Sequence, residues 1–233
     1  MTDELDARLE SVGVLAEPVR RSLYRYVVGQ PAAVSREQAA DAVGLPRHTV
    51  KFHLDRLVDG GLLEAEFRRL TGRSGPGAGR PAKLYRRADQ EVSVSLPERR
   101  YDLVGEVLAD AVDRSLTGEV AVADAVRDAA HEHGRSLAEH FREQHPAPAA
   151  SGAADAWSST AELLADQGYE PRTTDTGLAL ANCPFDRLAE QHTQLVCGVN
   201  LALIEGVVGG LDATGLSPEL APTPGFCCVR IRG

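Results

Sequence analysis

The chain has four cysteines, and all of them lie in its C-terminal quarter, at Cys183, Cys197, Cys227 and Cys228. Thiolate sulfur is a soft ligand that suits zinc and iron–sulfur clusters, and neighbouring thiols can also oxidise to a disulfide. The first residues, MTDELDARLE, are acidic and lack the apolar stretch of a secretory signal, which predicts a cytoplasmic, reducing setting. In such a setting cysteines indicate metal or redox chemistry more often than structural disulfides.

The spacing of the last two cysteines limits how they can share one ion. Consecutive residues of a regular strand point to opposite faces, so only one of Cys227 and Cys228 would face the site from the predicted strand GFCCVRIRG. A bulge or a bend would remove that restriction. If the strand is regular, the fourth ligand comes from elsewhere, and His192 is the first candidate and Asp186 the second. The alternative is that these small side chains are core residues.

The elements that would position these thiols form a small predicted α/β domain. The segment YEPRTTDTGLALANC alternates as two strands, the second of which leads to Cys183. A long helix is predicted from Arg187 to Leu211, with Cys197 on its apolar side. The final strand would return to the same layer and carry the cysteine pair.

A basic segment lies in the N-terminal part of the chain, although the net charge of the whole chain is −9. Residues 18–87 contain 14 Lys and Arg against 6 Asp and Glu, a net charge of +8, so the rest of the chain carries −17. Of these 14 cations, 12 are arginine, whose geometry suits phosphate and guanine. A basic module in an acidic protein predicts a polyanionic partner for that module alone.

Two helices joined by a tight turn are predicted within this basic segment. Ser35 and Gln38 form a capping-box pattern at the start of SREQAADAV, which ends at Gly44. The turn GLP leads directly into RHTVKFHLDRLVDGG, a helix that ends at Gly60–Gly61. A helix, a tight turn and a second helix make up a helix-turn-helix unit.

The second of these helices has an apolar face and a polar face. Val50, Leu54 and Leu57 recur with helical spacing and should pack inward. The polar face carries cations that can reach guanine acceptors in the major groove of DNA, and Phe52 there is either a surface aromatic or a contact to a thymine methyl group. The predicted DNA-binding residues of the whole segment are Arg47, His48, Thr49, Lys51, Phe52, Arg56, Arg69, Arg73 and Arg80.

A β-hairpin is predicted behind this helix from the segments LLEAEFRRL and AKLYRR, joined by a Gly/Pro-rich loop. Arg80 in that loop can enter a narrow minor groove, or the loop arginines can contact phosphates only. The segment combines the spacing of the two helices, the HL pair at His53–Leu54, the GLL that follows the second helix, and the strand sequence GRPAKLYR. On these features it resembles the winged-helix domain of ArsR-like transcriptional regulators. This resemblance implies a double-stranded DNA operator as partner.

Residues 93–145 are predicted to be helical and to link the two regions. One apolar stripe there is either a homodimer seam or core within the chain; it consists of Leu103, Val104, Val107, Leu108 and Ala111. His133 and His140 lie two turns apart, too far to share an ion easily on a straight helix, and a solvated face is predicted for them.

The segment NCPFDRLAEQHTQLVC, followed by a terminal strand with CC, resembles the C-terminal domain of SufR-type regulators. This resemblance implies a winged-helix repressor that acts as a homodimer and binds an iron–sulfur cluster through C-terminal cysteines. The interior cysteine of that family, between the second and last ligands, is absent here. Three cysteines with His or Asp can still hold a cluster or bind zinc tetrahedrally. The predicted ligand set is Cys183, Cys197, Cys227, Cys228 and His192.

The sequence therefore predicts an α+β protein in three parts: a winged helix-turn-helix DNA-binding domain (1–92), a helical linker and dimerisation region (93–145), and a C-terminal α/β sensor domain (146–233). The predicted function is a DNA-binding transcription regulator, a repressor, that senses an iron–sulfur cluster, a metal or redox state. The alternatives are a cofactor-free thiol switch and a small-molecule effector pocket.

No enzymatic activity is predicted, because CPFDRLAEQH, the one place for a cysteine nucleophile near His192, lies in no acyl-transfer motif. No membrane partner is predicted, because Asn200 and Glu205 interrupt the longest apolar run.

Overall fold

The computed structural model describes residues 2–69, 81–118, 120–145 and 153–233. The chain divides into two compact units, Met1–Val94 and Ser95–Gly233. The boundary between them lies close to the predicted end of the DNA-binding domain. The predicted boundary at residues 145 and 146 has no counterpart in this division, because helices on both sides of it share buried side chains.

Within residues 2–69 and 81–94, the first unit consists of four helices and a small sheet. Its helices are α1 (Thr2–Val14), α2 (Pro18–Val28), α3 (Arg36–Val43) and α4 (Arg47–Asp59). Its strands are β1 (Val34–Ser35), β2 (Leu63–Arg68) and β3 (Ala82–Arg87).

Local signals set the ends of α3 and α4. The Ser35 hydroxyl accepts a hydrogen bond from the backbone N–H of Gln38 at 3.2 Å, and the Gln38 side chain accepts one from the Ser35 N–H at 2.8 Å. Gly44 ends α3 with a φ of 68°, a left-handed conformation that glycine adopts without strain. The helix α4 begins after Pro46 and ends before Gly60. The predicted capping box and both helix ends are confirmed.

The sheet of the first unit has the order β1-β3-β2, with antiparallel neighbours. The predicted hairpin corresponds to β2 and β3, while β1 is too short for the sequence pattern to reveal. The three side chains predicted to point inward from α4, Val50, Leu54 and Leu57, are fully buried. They pack with Leu23 of α2 and Tyr85 of β3, so α4 is fixed to the sheet through its apolar face.

The described residues of the second unit form five helices and a four-stranded antiparallel sheet of order β4-β5-β7-β6. The helices are α5 (Tyr101–Thr117), α6 (Val122–Gln144), α7 (Ala153–Asp166), α8 (Asp186–Gln191) and α9 (Thr193–Gly210). The strands are β4 (Pro171–Thr174), β5 (Gly177–Leu180), β6 (Ser217–Leu220) and β7 (Val229–Arg232).

The helix α9 lies at the centre of the second unit. One buried cluster joins its first half to α5 and α6, and another joins it to α7 and the sheet. The apolar stripe on α5 belongs to the first cluster, so it is core within the chain and not a free dimer seam. Two glycines let α6 and α9 touch backbone to backbone, because a Cβ on Gly134 or Gly206 would lie 2.0 or 2.1 Å from a carbonyl oxygen of the other helix.

Two predicted elements around the cysteines differ from the structure. The predicted long helix is interrupted at His192, whose φ of −131° and ψ of 47° separate α8 from α9. The predicted last strand begins only at Val229, so Cys227 and Cys228 lie in the loop before it. Because neither cysteine is part of a regular strand, the alternation that would separate their side chains does not apply.

Among the described residues, one helix, α9, is long and apolar enough by composition to cross a membrane. Its buried side chains pack against α6 and the sheet, as expected for a core helix.

Candidate nucleic-acid interface and thiol cluster

The outer face of α4 presents the predicted DNA-reading residues to solvent. Arg47, His48, Lys51, Phe52 and Arg56 are exposed, Thr49 is half-buried, and Arg69 is exposed just beyond β2. Phe52 keeps 58% of its surface exposed and meets the ring of His53 edge to face at 5.3 Å. Arg73 and Arg80 lie outside the described residues.

Asp55 organises the cations on this face. Its carboxylate accepts a hydrogen bond from Lys83 Nζ at 2.6 Å and one from the Tyr85 hydroxyl at 3.2 Å, and Lys51 Nζ lies 3.3 Å away. Burial would raise the pKa of Asp55, but the bonds from Lys83 and Lys51 outweigh burial and lower it. The carboxylate therefore ties α4 to β3 and holds Lys51 beside the exposed face.

Comparison with known proteins agrees with this geometry for part of the chain. Residues 15–66 match a family model described as "Helix-turn-helix domain", and this range includes α2, α3, α4 and the start of β2. Comparison of the chain with curated proteins and with solved structures finds no significant match. The match supports a DNA-binding transcription regulator of the winged-helix kind, a class that is generally not enzymatic.

The four thiols come together in the second unit. Cys183 follows β5, Cys197 lies in the second turn of α9, and the pair Cys227–Cys228 precedes β7. The thiol of Cys227 interacts with those of Cys183 and Cys228, and Cys228 also interacts with Cys197. All four are free thiols, and Cys197 and Cys227 are buried. We call Cys183, Cys197, Cys227 and Cys228 the thiol cluster.

The other two ligand candidates differ in their position. Asp186 acts electrostatically on Cys183, from the first turn of α8. His192 is exposed at the break between α8 and α9. Within the described part of the chain, no three His, Cys, Asp or Glu side chains are arranged as ligands around one metal ion. The thiols interact in pairs, so the four sulfurs form a chain of neighbours.

The surroundings raise the pKa of three of these thiols, those of Cys183, Cys197 and Cys227. The interaction with Cys227, together with burial, raises the pKa of the Cys183 thiol far above its ordinary range. For Cys227, the contact with Cys183 lowers the pKa, but Cys228 and burial raise it more, to about 11. Burial also raises the pKa of Cys197. Neutral thiols are poor nucleophiles, and a bound cation would displace their protons.

Two polar side chains, Asn200 and Arg99, hold parts of the thiol cluster in place. Asn200 donates from Nδ2 to the sulfur of Cys227 at 3.0 Å, and its side chain is fully buried. Arg99 donates from Nη1 to the carbonyl oxygen of Cys183 at 3.1 Å. The sequence could have indicated a buried polar role for Asn200, because it is an amide inside an apolar helix. No pattern in the sequence indicates Arg99, which lies far from the cysteines in the chain.

Proposed function

We propose that this protein is a winged-helix repressor whose thiol cluster holds an iron–sulfur cluster and thereby controls DNA binding by a homodimer. The observation that carries the proposal is the convergence of all four cysteines, from three separate segments, in one unit. Thiolate donors are the ligands that iron–sulfur clusters use. Because Cys227 and Cys228 both lie in the loop before β7, four thiols are available as ligands. No histidine is then needed in place of the interior cysteine that this chain lacks relative to the SufR-type pattern.

Oxidation or loss of the bound group would change the charge at the four sulfurs or the bonds that they make as ligands. The chain itself supplies the donors and partly excludes water, since Cys197 and Cys227 are buried. The same thiolate set suits Zn²⁺, which is the alternative ion.

A route from the thiol cluster toward the DNA-binding unit passes through residues 95–100, the first of the second unit. Arg99 bonds the Cys183 carbonyl and Asn182, and the Arg100 N–H donates to the carbonyl of Pro184 at 3.1 Å. Asn182 in turn donates to the carbonyl of Glu98 at 3.0 Å. A change of ligation at Cys183 would therefore move the segment that leads directly to the first unit, and the affinity for DNA would change by a shift of population.

The test of the sensor is anaerobic purification followed by an absorption spectrum and by iron, sulfide and zinc analysis of one sample. Iron and sulfide in comparable amounts with a brown colour are expected. A colourless protein with stoichiometric zinc would replace the cluster by a zinc site.

A thiol–disulfide switch is the second candidate function, and the pairwise contacts of Cys227 with Cys183 and Cys228 favour it. Such a switch needs no cofactor, since two thiols lose two electrons and two protons to an oxidant such as a glutathione disulfide. A metal-free protein that stays metal-free after attempted reconstitution, and that forms a disulfide at Cys227, would make this the function.

The DNA-binding face is tested with Arg47→Ala, in the exposed first turn of α4. We expect operator affinity to fall about tenfold, since a good contact between arginine and a base discriminates by ~1–3 kcal/mol. The operator is selected from random-sequence duplexes, and binding is measured by gel shift at fixed salt, with sedimentation to show that the homodimer is intact. Exposed Arg127→Ala in the second unit is the matched control; equal affinities for both variants would remove Arg47 from the interface.

A further inference from the structure

A buried polar relay joins Tyr169, Asn200 and Cys227 inside the second unit. The Tyr169 hydroxyl donates to Oδ1 of Asn200 at 2.5 Å, and Nδ2 of Asn200 donates to the sulfur of Cys227 at 3.0 Å. These three side chains are 1%, 0% and 2% exposed. The amide of Asn200 is therefore oriented at both ends, with its oxygen toward a donor and its nitrogen toward sulfur.

The position of Asn200 on α9 is one that packing alone would give to an apolar residue. Its neighbours Val199, Ala202, Leu203 and Ile204 are all buried, and burying an amide is costly unless it forms hydrogen bonds. Replacing both partners of a buried hydrogen bond by apolar groups can be nearly neutral. The amide oxygen satisfies the buried Tyr169 hydroxyl, and the amide nitrogen makes its contact with the sulfur of Cys227.

The strength of that contact depends on the state of the sulfur. A neutral thiol is a weak acceptor, whereas hydrogen bonds to ionised acceptors are about twice as strong as neutral ones. The amide consequently favours Cys227 as an anionic ligand over Cys227 as a free thiol. The backbone of Cys227 is fixed as well, since its N–H donates to the carbonyl of Leu180 at 2.8 Å.

We propose that Asn200 is a positioning residue of the thiol cluster: its amide N–H holds the sulfur of Cys227 in place for ligation, and the Tyr169 hydroxyl orients the amide. This proposal rests on the proposed function, because it assigns a role toward a thiolate-bound metal. Outer-shell partners of this kind typically change metal affinity by ~10–100-fold when they are removed.

The test uses Co²⁺ as a probe of the reduced, metal-free full chain, with absorption of the sulfur-to-cobalt charge-transfer band as the readout. We expect Asn200→Ala to bind Co²⁺ about tenfold more weakly, and Tyr169→Phe, which keeps the amide donor, to lose less. The band of Asn200→Ala should also move to longer wavelength, because a sulfur without the N–H donor holds its electrons less tightly. Thr160→Ala, a buried polar residue of α7 outside the thiol cluster, is the matched control for a disturbed core.

The outcomes separate the two proposals. If the wild-type protein takes up neither Co²⁺ nor iron and sulfide, the metal centre is wrong, and the role of Asn200 is wrong with it. If it takes up only iron and sulfide, cluster occupancy replaces Co²⁺ affinity as the readout for each variant. If the wild type binds and Asn200→Ala matches Thr160→Ala in affinity and in band position, only the role of Asn200 is overturned. Thermal unfolding of each metal-free variant shows whether a loss of affinity merely reflects unfolding, and an unchanged band position in a destabilised Asn200→Ala protein would also count against the proposal.

Discussion

The guanidinium of Arg99 donates to Oδ1 of Asn182 at 2.5 Å, which joins the start of the second unit to the turn that carries Cys183. The same guanidinium contacts the Cys183 carbonyl and lies 3.4 Å from the Asp186 carboxylate. Asn182 is buried and also donates to the carbonyl of Gly168 at 2.6 Å. The turn is therefore held by one arginine and one amide that are distant from each other in the chain.

Arg99→Ala should lower the free energy of unfolding by about 1–3 kcal/mol, because it leaves buried acceptors without their charged donor. Chemical denaturation of the full chain measures this loss. Arg172→Ala is the control, since Arg172 is exposed and 3.9 Å from its acidic partner, and a change within about 0.5 kcal/mol is expected there.

If Arg99 transmits the state of the thiols, the ratio of DNA affinities with and without the bound group also falls toward one in Arg99→Ala. A full ratio in that variant would contradict the proposed route.

The close contact between α6 and α9 makes Gly206 intolerant of a side chain. A Cβ at this position would lie 2.1 Å from the carbonyl oxygen of His131, a backbone atom of α6 that cannot rotate away as a side chain would. Overpacking of this kind costs ~1–3 kcal/mol or more, so Gly206→Ala should lower the melting temperature by several degrees. Gly198→Ala on the same helix meets no atom within 4 Å and should be neutral or stabilising by up to ~1 kcal/mol. Equal melting temperatures for the two variants would show that the helices can separate at this contact.

The helices α3 and α4 of the first unit could be predicted because local signals set them. The capping box at Ser35, the glycine at Gly44 and the inward spacing of Val50, Leu54 and Leu57 all act within a few residues of chain. The strand β1 could not be predicted, because two residues have no periodicity and their pairing with β3 is a tertiary contact.

The thiol cluster shows where such prediction ends. The four cysteines and the strand before Cys183 are visible in the sequence, but their pairwise contacts depend on a loop before β7 that strand alternation does not suggest. The break at His192 has no glycine or proline to signal it. The partners Tyr169 and Asn200 are 31 residues apart, so their hydrogen bond follows from the packing of α9 against the sheet and from no local pattern.

Asp55 makes the first unit sensitive to acid. Its folded-state pKa is lowered by Lys83 and Lys51 against the effect of burial, so its contribution to stability is present above the unfolded pKa, ordinarily ~3.9, and is lost as the pH falls through the folded value. We expect Asp55→Asn to lose ~1 kcal/mol of unfolding free energy at neutral pH and to converge with wild type in acid, as measured by denaturation at several pH values. Exposed Asp59→Asn on the same helix is the control. A difference that persists unchanged at low pH would show that the carboxylate charge is not the cause.

The number of thiol ligands can be decided by two substitutions. Cys183→Ser should abolish uptake of iron and sulfide, because Cys183 interacts directly with Cys227 and its carbonyl is fixed by Arg99. His192→Ala should leave uptake unchanged, because His192 is exposed at the junction of α8 and α9 while four thiols converge without it. Metal and sulfide analysis after anaerobic reconstitution measures both, and circular dichroism shows that each variant is folded. Full occupancy in Cys183→Ser would exclude that thiol as a ligand, and loss of occupancy in a folded His192→Ala would mean that the loop rearranges on ligation to bring the imidazole in as the fourth donor.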